Sequence, residues 1–210
     1  MATILSSKLS LLSLLVFFLR AISAATNENS TNFIRTSCNA TLYPDLCYAS
    51  LSRYTKSVRQ SPAQLARIAV TVSLAKAKQM ASYVTNISHH ATNSGTSMNP
   101  RVVSALKDCF SMFSDTVYQI KLSLNEMHNL TSTSTGGNES FKFRMSNVQT
   151  WMSAALTNED TCTDGFEEVP DDTPTKVDIC NRVRVTMKFT SNALALINSF
   201  VANYAMGRTL

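Results

Sequence analysis

The stretch NPRVVSALKDCFSMFSDTVYQIKLSLNEMHNL, residues 99–130, decides the fold class of this 210-residue chain. Asn99 followed by Pro100 combines a helix-capping side chain with a proline suited to a first helical turn. No further Gly or Pro interrupts the stretch, and its apolar residues recur at helical spacing. They are Val103, Leu106, Phe110, Phe113, Val117, Ile120, Leu124 and Met127. The pattern predicts a long helix over about 100–129 with this stripe in a core.

Three further stretches have the same character and predict helices over about 62–88, 141–164 and 174–205. Ser61-Pro62 repeats the capping device, and Pro174 opens the last helix. The last stripe comprises Val177, Cys180, Val183, Met187, Leu194, Ile197 and Val201. Four long helices with short connections favour an antiparallel up-down four-helix bundle over about 61–206. Residues 32–57, broken at Pro44, are expected to add an N-terminal helical hairpin.

Composition supports an all-α fold. Five glycines and five prolines supply little material for the turns of an all-β protein, and each falls at a predicted helix boundary. Apolar residues make up 44% of the chain, which is enough for a packed core and argues against disorder.

The N-terminal residues 1–25 have the pattern of a secretory signal peptide. Lys8 precedes the apolar run Leu9–Leu19, and small residues follow at Ser23-Ala24-Ala25. The run is shorter than the roughly 20 residues that span a bilayer. We therefore expect secretion, no membrane attachment after cleavage, and a mature domain of residues 26–210.

Cleavage would remove Lys8 and Arg20, so that 17 of the 19 basic residues remain against 14 acidic ones, a net charge of +3. This excess is small, and basic and aromatic residues do not alternate, so no nucleic-acid partner is expected. The excess favours retention in an acidic polysaccharide matrix only weakly.

Five cysteines in a secreted chain suggest two disulfides and one odd thiol. Cys38 and Cys47 are nine residues apart, about 13 Å along one continuous helix, so a bridge requires the chain to turn back near Pro44. Spacing allows Cys162 to pair with Cys109 or with Cys180, and it does not choose between them.

Five sequons would accept N-linked glycans where they are exposed. Their asparagines are Asn29, Asn39, Asn86, Asn129 and Asn138. Asn39 lies between two cysteines, and there we expect steric shielding from glycosylation.

Five motifs in order resemble the plant invertase/pectin methylesterase inhibitor family across essentially the whole mature segment. They are Thr36-Ser37-Cys38 with Cys47, Ala105-Leu106-Lys107-Asp108-Cys109, Trp151-Met152-Ser153-Ala154-Ala155-Leu156-Thr157, Thr161-Cys162-Thr163-Asp164-Gly165-Phe166 and Leu194-Ala195-Leu196-Ile197-Asn198. The resemblance implies a four-helix bundle with an N-terminal hairpin, the bridges 38–47 and 109–162, and a free thiol at Cys180.

The resemblance also implies inhibition of a secreted enzyme, either pectin methylesterase or acid invertase. Esterase inhibitors of the family cover the pectin-binding cleft with the side of the bundle, in a one-to-one complex favoured at the mildly acidic pH of the cell wall. Invertase inhibitors use a Pro-Lys-Phe element, and the nearest segment here is Phe141-Lys142-Phe143. The run at 190–198 is more similar to esterase inhibitors.

We therefore expect a pectin methylesterase inhibitor of the cell wall, or apoplast. An acid invertase inhibitor is the second reading. A secreted structural or signalling glycoprotein that has lost inhibition is the third, because fold does not guarantee function.

No catalytic constellation stands out, so no enzymatic activity, metal or cofactor is expected. His89, His90 and His128 lie near predicted helix ends, where solvated histidines are common. The chain has no nucleophile elbow, phosphate loop or zinc-ligand spacing.

Acidic residues concentrate between 159 and 172, which holds seven of the 14. They are Glu159, Asp160, Asp164, Glu167, Glu168, Asp171 and Asp172. A solvated turn accounts for them; the alternative is a surface that steers a basic enzyme. Thr161 and Asp164 are the leading interface candidates, followed by Gln119, Ser123 and Glu126 on the polar side of the second long helix.

Overall fold

The structure is a computed structural model that describes residues 28–93, 99–132 and 138–207. The predicted signal peptide lies outside these residues. All regular structure in the described ranges is helical, which confirms the all-α prediction. Helix α1 covers residues 28–38. It is followed by α2 (Pro44–Leu51), a 3-10 turn (Ser52–Tyr54) and α3 (Thr55–Val58).

Four long helices form the body of the molecule. They are α4 (Pro62–Asn93), α5 (Pro100–Ser132), α6 (Asn138–Asp164) and α7 (Pro174–Ala205). Each packs against two of the others, in the cyclic order α4, α5, α6, α7 and back to α4. With short connections between them, neighbouring helices run antiparallel, as the sequence predicts. We call the end where α6 stops and α7 starts the upper end of the bundle, and the opposite end the lower end.

The two predicted caps are present. Ser61 Oγ accepts the backbone N–H of Gln64 at 3.3 Å, and Asn99 Oδ1 accepts that of Arg101 at 2.9 Å. Just before Ser61, Arg59 and Gln60 have φ values of 45° and 59°, in the left-handed region that ends α3 and redirects the chain into α4. The start of α4 is therefore specified locally.

Buried residues in each long helix recur alternately three and four positions apart, a heptad pattern. In α5 they are Val102, Leu106, Cys109, Phe113, Thr116, Ile120, Ser123 and Met127. In α6 they are Phe141, Met145, Val148, Met152, Ala155, Glu159 and Cys162. In α7 they are Ile179, Val183, Thr186, Thr190, Ala193, Ile197 and Phe200. In α4 the same spacing holds for Ala66, Val70, Ser73, Ala77, Met80 and Val84.

We call the row of buried heptad positions of each helix its seam. The seams differ in part from the apolar stripes that the sequence predicts. Phe110 and Val177 were expected in the core, but their side chains are 45% and 46% exposed. In α5 the neighbouring Cys109 takes the inward position, and Thr116 and Ser123 continue the seam. A search for apolar residues passes over such small polar residues and shifts the predicted face by one position.

Candidate functional site

Two disulfide bridges staple the fold. Cys38 and Cys47, with Cα atoms 5.5 Å apart, join the end of α1 to α2. Cys109 and Cys162, with Cα atoms 4.2 Å apart, join α5 to α6 near the upper end. This second bridge decides the pairing that spacing left open. Cys180 is a buried free thiol on α7, and burial raises its pKa.

The register of α5 against α6 is set by contacts at two levels. Below the Cys109–Cys162 bridge, Thr116 Oγ1 donates to the backbone oxygen of Ala155 at 3.3 Å. From Cys109 to Thr116 the chain advances seven residues along α5, and from Cys162 to Ala155 it goes back seven residues along α6. The two helices therefore keep one antiparallel register between these contacts. Ala155 and Thr116 are both small and buried, which permits this close antiparallel packing.

Of the three candidates on the polar side of α5, Gln119, Ser123 and Glu126, the structure contradicts Ser123. Ser123 is fully buried and donates to the backbone oxygen of Gln119 at 3.1 Å. Gln119 is half-buried, and Glu126 accepts a hydrogen bond from Arg144 on α6 at 3.3 Å. Ser123 occupies an inward heptad position and is withdrawn as an interface candidate, whereas Gln119 and Glu126 stay predictions.

Thr161 and Asp164 are exposed on the last turn of α6, directly beside the Cys109–Cys162 bridge. Thr161 Oγ1 donates to the backbone oxygen of Thr157 at 2.9 Å, so its hydroxyl can still accept a hydrogen bond from a partner. Thr157, one turn earlier, is also exposed. The bridge ties this turn covalently to α5.

Asp108 and Asp115 on α5 extend this surface and were missed by sequence reasoning. Asp115 precedes Gln119 by four residues, so the two lie on the same side of α5, and Asp108 lies one heptad earlier. Both aspartates are exposed. The heptad register could have found them, because it orients α5 toward α6. We call the five residues Asp108, Asp115, Thr157, Thr161 and Asp164 the upper α5–α6 face.

The acidic segment 159–172 is mostly exposed, with one exception. Asp160, Asp164, Glu167, Glu168, Asp171 and Asp172 face solvent. Lys176 Nζ fixes the turn by donating to the backbone oxygen of Val169 at 2.6 Å and to Asp171 at 2.8 Å. This hydrogen bond lowers the pKa of Asp171.

Glu159 is the exception, because its side chain is fully buried. Its Oε1 accepts a hydrogen bond from Thr190 Oγ1 at 2.8 Å, and Thr190 Oγ1 lies 2.8 Å from Ser73 Oγ. Oε2 has no hydrogen-bond partner among the described residues. Burial raises the pKa of Glu159 to about 8. Glu159 therefore belongs to a polar layer in the core and not to the acidic turn.

The histidines do not assemble a site. His89 and His90 are exposed, and the Nδ1 atom of His128 lies 3.3 Å from an Arg67 guanidinium nitrogen. In the described ranges no group of three His, Cys, Asp or Glu residues is placed to hold a metal ion. Nor does any helix of these ranges have the length and apolar character to cross a membrane.

Four of the sequon asparagines are exposed: Asn29, Asn39, Asn86 and Asn129. Asn39 is exposed even though it directly follows a bridged cysteine, so the expected shielding is absent. The side chain of Asn138 lies outside the described residues.

Comparison with known proteins gives consistent matches. The family model described as "Plant invertase/pectin methylesterase inhibitor" matches residues 32–196. Pectinesterase inhibitor 11 of Arabidopsis thaliana is 38% identical over 182 residues, which cover 87% of each chain. The 21 kDa protein of Daucus carota is 38% identical over 183 residues, covering 87% of this chain and 91% of that one.

A solved structure is similar in fold. The crystal structure of a mutant form of a pectin methylesterase inhibitor from Arabidopsis superposes with a TM-score of 0.56 at 19% identity. The superposition covers 77% of this chain and 92% of that one.

Proposed function

Because this chain belongs to the plant invertase/pectin methylesterase inhibitor family, we propose that it inhibits pectin methylesterase by binding it as a protein ligand. The observation that carries the proposal is a match along nearly the whole length of a relative named as a pectinesterase inhibitor, at 38% identity. The chain thus acts on an enzyme and is not one itself.

The upper α5–α6 face is the surface that docks, covering the substrate cleft of the enzyme in a one-to-one complex. A cleft that binds the partly anionic pectin chain needs basic residues, and Asp108, Asp115 and Asp164 supply the opposite charge. The Cys109–Cys162 bridge orders this face before binding, which reduces the entropy lost on association.

Secretion to the cell wall is part of the proposal, and it is supported by the signal-peptide pattern of the N-terminal segment and by the two disulfides, which form in oxidising compartments. Exposed Asn29, Asn39, Asn86 and Asn129 would then be open to glycosylation. In the cell wall the inhibitor would limit the removal of methyl esters from pectin.

Acid invertase is the second candidate target. The segment nearest to the invertase-type element is partly built into the core: Phe141 is buried, with its ring stacked on that of Tyr204 at 3.5 Å. Phe143 is exposed, and Lys142 pairs with Glu139 at 3.6 Å. A segment whose first residue is buried in the core is poorly suited to contact a partner enzyme. This observation favours the esterase over the invertase as the target.

Titration of the purified protein against plant pectin methylesterase and acid invertase tests the proposal. We expect esterase inhibition that saturates at one inhibitor per enzyme. Inhibition of invertase alone would replace the target. Inhibition of neither would favour a non-inhibitory glycoprotein with this fold, and intrinsic turnover would contradict the assignment as an inhibitor.

The docking face is tested by the double variant T161A/D164A. It should raise the inhibition constant at least about tenfold, because it removes two of the five polar side chains of the face. The matched control T36A/D45A removes the same two residue types from exposed positions in the N-terminal hairpin and should leave inhibition unchanged. If T161A/D164A inhibits the esterase as strongly as the control does, docking uses another surface.

A further inference from the structure

A second surface lies at the lower end of the bundle, where α3, the start of α4 and the end of α5 meet. These segments line an open groove with a volume of about 770 Å³. Lys56 and Arg59 enter it from the α3 side, Arg67 from α4 and His128 from α5. The groove thus collects basic side chains from three separate parts of the chain.

Its charge is not neutralised by the protein. No Asp or Glu is among its lining residues, and Lys56, Arg59 and Arg67 form no ion pair within the described part of the chain. Arg67 is held in place by Gln64, whose Oε1 accepts a hydrogen bond from its guanidinium at 2.6 Å. Three like charges facing one groove repel one another, and a bound anion would relieve that repulsion.

The size and remaining lining of the groove indicate what kind of anion fits. Its volume is in the range of pockets for organic ligands and far exceeds the space that a single inorganic ion needs. The hydroxyls of Ser57 and Thr71 can bond to sugar hydroxyls. Tyr54 and Ile68 offer apolar surface for the flat side of a sugar ring.

We propose that this groove binds a carboxylate-bearing oligosaccharide, a short run of de-esterified galacturonate. The choice of galacturonate rests on the proposed function, because pectin methylesterase converts the methyl esters of pectin into free carboxylates. Lys56, Arg59 and Arg67 pair with the carboxylates, and the hydroxyl groups of the groove bind the sugar.

The groove and the upper α5–α6 face can be occupied at the same time. Cys109 and His128 are 19 residues apart on one helix, which places the two surfaces about 28 Å apart along the bundle axis. An inhibitor attached to demethylated pectin would therefore still present its docking face. The binding would concentrate it where the esterase has already acted.

Isothermal titration of the purified protein with de-esterified oligogalacturonate tests the proposal directly. The variant K56Q/R67Q should weaken binding at least about fivefold. The control K78Q/R184Q removes the same charge from exposed positions outside the groove and should bind as the original chain does. If the double variant does not fold, K56Q alone keeps the test valid, since Lys56 is exposed.

Several results would overturn the proposal: absence of binding, equal loss in both double variants, or equal affinity for the fully methyl-esterified oligomer. Tighter binding of a poly-glutamate peptide would assign the groove to an acidic protein instead, and full competition by inorganic phosphate would reduce it to a simple anion site. The titration requires no esterase, so its outcome is separate from that of the inhibition assay. K56Q/R67Q should retain full esterase inhibition.

Discussion

The hydroxyl of Thr190 on α7 donates a hydrogen bond of 2.8 Å to the buried carboxyl of Glu159 on α6. Ser73 on α4 approaches the same hydroxyl at 2.8 Å, so three of the four long helices meet in one polar layer. All three residues occupy inward heptad positions, where apolar side chains are the rule. A polar layer of this kind disfavours other registers, since a slip would leave each group buried without a partner.

Stability should fall as the pH rises from about 5 to 8. Burial raises the pKa of Glu159 from 4.5 to about 8, so over this range Glu159 is mostly ionised in the unfolded chain but largely protonated in the folded chain. The folded state then binds more protons, and the free energy of unfolding drops by up to about 1.4 kcal/mol per pH unit. Urea unfolding between pH 5 and 8 measures this slope.

The variant E159Q is the control for that slope. It keeps the shape of the side chain but cannot ionise, so its stability should be nearly flat over the same range and exceed that of the original chain at pH 8. Parallel slopes for the two proteins would show that Glu159 does not control the pH dependence.

Replacing Thr190 by Val should destabilise the protein by about 1–3 kcal/mol, because it deprives Glu159 and Ser73 of their shared partner. The matched control is T186V, a buried threonine of the same helix whose hydroxyl donates only to the backbone oxygen of Arg182, at 3.0 Å. Chemical denaturation at pH 5 compares them. A loss for T186V as large as that for T190V would argue against the layer.

Two phenylalanines of α5 test the heptad register. Phe113 is fully buried whereas Phe110 is 45% exposed, so F113A should cost about 3–5 kcal/mol and F110A less than about 1 kcal/mol. Melting temperatures rank the two variants. The opposite ranking would show that Phe110 faces the core, as the apolar stripe predicts.

Cys180 should be a single, slowly reacting thiol. The other four cysteines are in bridges, and Cys180 is buried with a raised pKa, so little thiolate is available in the folded state. Ellman's reagent should label almost nothing in the native protein and about one thiol per chain in denaturant, and the C180A variant should lose that signal. Rapid labelling of the native protein would contradict its burial.

The sequence by itself determined the helices, because their boundaries depend on local chemistry. Ser61 and Asn99 cap adjacent backbone groups, and Pro62, Pro100 and Pro174 restrict only their own turns. The two caps and the three first-turn prolines therefore locate three of the four long helix starts correctly. The cysteine motif at 161–166 also singles out Thr161 and Asp164, which the structure leaves exposed beside the bridge, and their role at an interface stays a prediction.

Only the tertiary structure decided which side of each helix faces inward, because that depends on the neighbouring helices. A run of apolar residues cannot reveal that Thr116 and Ser123 line the core of α5 while Phe110 faces water. Glu159 is one of seven acids in a short segment of sequence, yet packing against Thr190 makes it part of the core's polar layer. The basic groove likewise exists because antiparallel packing brings His128 beside Arg67, 61 residues away in the chain.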